Sequence, residues 1–189
     1  MGTRHLIQVN YNGEKKIAQY GQWDGYPSGQ GVSVLLFLTD PMNLTYLLRR
    51  FREYYDWAQI RFFKEGEPEQ IDKALSVLPK ELKSYVYDQL LQNRDLGADI
   101  LERVCLNSMC LLVDDEEFKH DLISCEYHHL IEIRDTEIPG YKYNYHVEWR
   151  YTIFSEGKEV FSCDQTFPLR TRKQIQKEMK KVERKMREK

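Results

Sequence analysis

Asn12-Gly13 lies between two short runs with strand character, 4–11 and 14–20. Asn-Gly at such a junction is the strongest short hairpin signal, because both central residues of a type I′ turn need positive φ. The turn sets a register in which Tyr11 faces Glu14, Val9 faces Lys16 and Leu6 faces Gln19. One face then carries Leu6, Gln8, Ile17 and Gln19, with Arg4 at its open end. The other carries His5, Ile7, Val9, Ala18 and Tyr20. Both faces are partly apolar, so the hairpin belongs inside a larger sheet.

The second half of the chain supplies strands for that sheet. Residues 124–134 read as one strand. Tyr141, Tyr143, Tyr145, Val147, Trp149, Tyr151 and Ile153 then alternate with Lys142, Asn144, His146, Glu148, Arg150 and Thr152. That is the period of a long strand with one wet face. Glu156-Gly157 turns it into a partner strand over 159–167. Between these ends the period is helical. The apolar run 32–38 reads as a helix after Gly29-Gln30-Gly31. Asp40-Pro41 supplies an N-cap and a proline at the first helical position, followed by Leu44, Leu47, Leu48, Phe51 and Tyr55 at helical spacing. Further helices are predicted near 68–77, 80–92 and 96–107. The fold class is α+β: an antiparallel sheet formed from the N-terminal hairpin and the C-terminal strands, with a helical middle segment and a C-terminal helix. The length suits one domain over 1–170 and a basic amphipathic helix over 171–189.

That last helix opens with Thr171-Arg-Lys-Gln174, a capping-box pattern. Ile175, Met179, Val182 and Met186 form a narrow apolar seam along it. From Arg170 to Lys189 there are ten Lys/Arg and three Glu, so the tail carries about +7 and the body about −9, given −2 overall. Docking on the acidic body, pairing with a second copy as a homo-oligomer and contact with nucleic acid are all open. The acidic body disfavours duplex nucleic acid as a partner. The start lacks the apolar run of a signal peptide and no stretch approaches a membrane span, so a cytoplasmic location without membrane contact is expected. Four scattered cysteines read as free thiols.

The run Gln19-Tyr20-Gly21-Gln22-Trp23-Asp24-Gly25-Tyr26-Pro27-Ser28-Gly29-Gln30-Gly31 follows the hairpin. A mere connector does not need Trp, Asp, Tyr and three Gln together, and loops held by rigid elements are where sites are built. Trp23 and Tyr26 offer flat surfaces for a base or sugar. Gly29-Gln30-Gly31 exposes backbone N–H groups suited to phosphate or carboxylate. Asp24 is placed to reach Arg4, and such a pair can orient a polar ligand. The competing reading is a tight loop whose aromatics plug the core. Asp95 reads as an N-cap for the helix that follows.

Other groups carry less. Glu126, His128 and Glu132 share one strand face, and His146 and Glu148 another; a solvated sheet face has the same composition as an acid–base pair. Cys105, Cys110, His120, Cys125, His128 and His129 lack metal-ligand spacing, so no metal or cofactor is implied. Thr3 near the chain start raises the idea of an N-terminal nucleophile. That route requires removal of Met1 and Gly2.

Gly2-Thr3-Arg4-His5-Leu6, the whole of Gln19 to Gly31, Arg94-Asp95-Leu96-Gly97-Ala98-Asp99-Ile100-Leu101 and Cys125-Glu126-Tyr127 resemble the shared motifs of a widespread family of bacterial, phage and fungal sequences. The resemblance covers about a third of the chain. It implies no particular reaction. It joins Arg4, Gln19, Gln22, Trp23, Asp24, Tyr26, Arg94, Asp95 and Glu126 as one ligand-binding site. The expectation is a small-molecule binding protein for a nucleotide-like ligand; in a phage such a protein would sequester a host signal nucleotide. The alternatives are a hydrolase, either an N-terminal-nucleophile amidohydrolase or a nucleotide hydrolase, and a protein-interaction module acting through the C-terminal helix.

Overall fold

The computed structural model describes residues 2–52, 61–64, 79, 85, 88, 93, 95–106, 111–138, 145–168 and 170–188. Strands β1 (His5–Tyr11) and β2 (Glu14–Gly21) form the expected hairpin, with Asn12 and Gly13 both at positive φ. Strands β5 (Tyr127–Glu137), β6 (Tyr145–Ser155) and β7 (Lys158–Asp164) complete a five-stranded sheet in the order β2-β1-β5-β6-β7. The class is α+β, as the sequence predicts. The sheet is mostly antiparallel, with one exception: β1 and β5 run parallel, from His5 opposite Tyr127 to Tyr11 opposite Ile133. Residues 12–126 separate the two strands, and a long crossover connection is what parallel pairing requires.

The hairpin register also departs from expectation. Tyr11 faces Glu14, but a bulge between Val9 and Asn10 then shifts the ladder, so Val9 faces Ile17, Ile7 faces Gln19 and Leu6 faces Tyr20. One inserted residue moves every later side chain to the other face. Ile7 and Val9, rather than Leu6 and Gln8, therefore share a face with Ile17.

Helices cover that face. The turn Pro27–Gly31 leads into α1 (Val32–Thr39), whose Val32, Val34, Leu35, Phe37 and Leu38 are buried. A helix so uniformly apolar has to sit inside the protein. The Asp40 carboxylate accepts the Met42 N–H at 2.8 Å, and α2 (Pro41–Arg52) begins on the proline. Helix α3 spans Asp99–Leu106 and α4 spans Arg172–Arg187. The capping box at Thr171 and Gln174 is present. Ile175 and Met179 of the α4 seam lie in the core with Ile7, Val9, Ile131, Tyr151 and Ile153, so that part of the seam docks on the body. The expected helices at 68–77 and 80–92 lie outside the described residues, apart from Tyr85 and Asp88, which are helical. Two short strands, β3 (Arg61–Lys64) and β4 (Leu111–Asp114), pair in parallel and were not anticipated.

The opposite sheet face is covered at one end by a short 3-10 helix, Glu116–His120, where Phe118 meets Tyr20 edge-on at 5.0 Å. Among the described residues no single helix is long and apolar enough to cross a membrane.

Candidate ligand site

The loop after β2 is held on every side. The Gln22 N–H donates to the Asp95 carboxylate. Gly25 donates its N–H to the Thr3 carbonyl at 3.2 Å. Gly29 and Gln30 donate their N–H groups to the carbonyls of Tyr26 and Asp24, both at 2.9 Å. Gln30 is a staple: its Nε2 donates to the Trp23 carbonyl at 3.2 Å and its Oε1 accepts the Ala98 N–H at 2.8 Å. Glu183 of α4 accepts the Ser28 N–H at 2.6 Å.

Beneath the loop lies a buried imidazole. His129 Nε2 is 2.7 Å from the Gly25 carbonyl, which can only accept, so that nitrogen carries the proton. Its Nδ1 therefore accepts the Tyr151 hydroxyl at 2.6 Å. Burial holds His129 down at about 3, with His5 the next cause. His5 is buried beside it, ring centroids 5.9 Å apart, with Nδ1 3.5 Å from the Thr3 carbonyl. Burial lowers His5 to about 4 against the opposing pull of the Thr3 bond and of Asp95 and Asp24. Both histidines are neutral supports at ordinary pH.

The structure sorts the predicted site residues. Gln22, Trp23, Asp24, Tyr26 and Asp95 come together on or against the loop. Trp23 is 56% exposed, its ring beside Gly2. The Tyr26 hydroxyl donates to Asp24 Oδ1 at 3.0 Å. Arg4 and Glu126 form their own unit next to Thr3: the Arg4 N–H donates to Glu126 Oε1 at 3.0 Å and its guanidinium lies 3.8 Å from the same oxygen. Asp24 thus meets Tyr26 where Arg4 was expected. Gln19 sits inside the sheet, 1% exposed, with Nε2 on Asp115 at 3.3 Å. Asp95 does not cap α3, which starts four residues later; it holds Gln22 instead. Arg94 lies outside the described residues.

One expectation is corrected outright. The Gly29 and Gln30 N–H groups are not open for an anion, because the loop's own carbonyls take them. The sequence reading also missed His5, His129, Gln30 and Glu183 as loop supports. His129 carried one signal, since it shares a strand face with Tyr127 and Ile131, but a buried histidine at that position is indistinguishable by period from a solvated one.

Gly29 is the tightest point of the loop. A Cβ there would stand 2.2 Å from the Asp24 carbonyl oxygen, a backbone atom that cannot step aside. Gly29→Ala should therefore displace the 24–30 turn and cost roughly 1–3 kcal/mol. Denaturant unfolding measures the cost, and a change in Trp23 emission reports the displacement.

Among the described residues no catalytic group declares itself. Burial pushes the thiols of Cys105, Cys125 and Cys163 up to about 11, 12 and 12, which leaves them protonated and inert. Among the described residues no group of three or more His, Cys, Asp or Glu is placed to hold a metal ion. No family model, no curated protein and no solved structure matches the chain.

Proposed function

We propose that the protein binds a small molecule with a flat, nucleotide-like ring on the loop that carries Trp23. The observation behind this reading is the contrast between a loop pinned at Gln22, Gly25, Ser28, Gly29 and Gln30 and the indole left 56% exposed upon it. An aromatic presented by rigid backbone loses little entropy on stacking, and base–aromatic stacking is worth about 1–3 kcal/mol per base. The ring rests on Trp23, with the Tyr26 ring beside it. The Asp24 carboxylate and the Gln22 side chain accept from donors on its edge.

The test is thermal unfolding with a panel of nucleosides, nucleotides and cyclic nucleotides. A ligand at a hundred times its Kd should add about 2.7 kcal/mol to the stability of the native chain. Trp23→Ala should leave the ligand-free melting temperature nearly unchanged, because the side chain is exposed, and should remove the ligand's shift. Chromatography should return the ligand intact; a cleaved ligand would make the chain a nucleotide hydrolase. A wild-type melting temperature that no member of the panel moves would end the reading.

A further inference from the structure

Between β7 and the second half of α4 runs an open groove of about 700 Å³. It falls within the roughly 300–1,000 Å³ typical of small-molecule sites. Its floor is apolar and half-buried: Val160, Phe161, Val182 and Met186. Methionine adapts to irregular apolar shapes, which suits a loosely specified hydrocarbon body. The rim holds Lys158, Lys181 and Lys185 against Glu156, Glu159 and Glu178.

The rim's formal balance conceals an excess of positive charge. Glu178 is paired with Arg170, and Glu159 lies 3.8 Å from Arg150. Both carboxylates are thus engaged by arginines outside the groove lining, which leaves Lys158, Lys181 and Lys185 on the rim against Glu156. Helix α4 adds to the field, with eight Lys/Arg and two Glu along its length. Its other glutamate, Glu183, is turned to the Ser28 amide. The groove is therefore a positive, greasy slot on a chain that is acidic elsewhere.

An extended peptide fits this slot poorly. β7 is one of the two edge strands among the described residues, but a bulge interrupts its ladder between Phe161 and Glu159, and Lys158 and Glu159 charge that end. Bulges and charges are the features that block strand addition. We infer that the groove binds a small amphipathic anion, with an apolar body on Phe161, Val182 and Met186 and a carboxylate, sulfonate or phosphate head at Lys181 and Lys185. This site is separate from the Trp23 loop.

Dodecanoate, kept below its micelle concentration and titrated calorimetrically into the full chain, is the probe. Saturable binding is expected. Lys181→Glu/Lys185→Glu should weaken it about tenfold or more. Lys173→Glu/Lys177→Glu, the same charge change on exposed α4 positions outside the groove, should weaken it less than about twofold. Dodecanol should bind about tenfold more weakly than dodecanoate, and Trp23→Ala should leave dodecanoate binding intact. The inference falls if nothing saturable binds, if both double variants weaken binding equally, or if the alcohol binds as tightly as the acid. It also falls if an acidic peptide displaces the probe as well as unlabelled dodecanoate does. Circular dichroism checks that the variants, at exposed lysines and at the exposed Trp23, remain folded.

Discussion

His129→Leu should destabilise the protein by about 3 kcal/mol, a large effect for one exchange of similar size. The substitution keeps apolar bulk in the core but strands two polar groups. The Gly25 carbonyl loses its donor and the Tyr151 hydroxyl loses its acceptor, and each orphan costs about 1–3 kcal/mol when buried. Tyr151→Phe removes one of those orphans. The double variant His129→Leu/Tyr151→Phe should therefore be more stable than the sum of the single losses, by about 1 kcal/mol or more. Urea unfolding of the four proteins closes the cycle. Strict additivity would mean that the imidazole and the phenol do not act as a unit.

Acid should unfold this protein through its histidines before its carboxylates. Burial lowers His5 and His128 to about 4 and His129 to about 3, against 6.5 for the unfolded chain. The sign follows from which state holds the proton. Below about pH 6.5 the unfolded chain takes up protons that the folded chain refuses, so stability is complete above that pH and falls as pH drops toward 4. Each histidine contributes at most about 1.4 kcal/mol per pH unit, so three give an upper limit of about 4. Glu116, held down at about 2 by Lys119 and Lys15, adds its own loss only below its unfolded value of 4.5. Denaturant midpoints between pH 7 and 5 should fall steeply, with a slope equivalent to nearly three protons at pH 5. His128→Gln, outside the loop support, should reduce that slope by one proton. A midpoint unchanged from pH 7 to 5 would contradict the buried, neutral state of all three rings.

The local elements were legible because their signals are local. Asn12-Gly13, Asp40-Pro41 and Thr171…Gln174 each mark a backbone geometry that few residues provide, and each stands where the sequence puts it. The bulge at Val9/Asn10 was not legible, since alternating apolar residues on both hairpin faces permit either register. The parallel β1–β5 junction was hidden for a different reason. Pairing direction depends on where the 22–126 excursion returns, which no window of residues encodes. In the candidate site the surface members, Trp23, Asp24 and Tyr26, were visible as residue types out of place in a connector. Their supports were not, because Gln30 takes the Ala98 amide and Glu183 the Ser28 amide across distant segments of the chain.

The parallel junction has a consequence for how the chain is made. β1 leaves the ribosome long before residues 127–133, which alone fill one of its two edges. Closing so distant a contact is slow, and folds dominated by such contacts are slow to form. Throughout synthesis of the intervening segment the hairpin offers an uncovered strand edge and the apolar side chains of Ile7 and Val9. That interval is the chain's main exposure to aggregation. Any fragment ending before residue 127 should remain a chaperone client, however well its hairpin turn is formed.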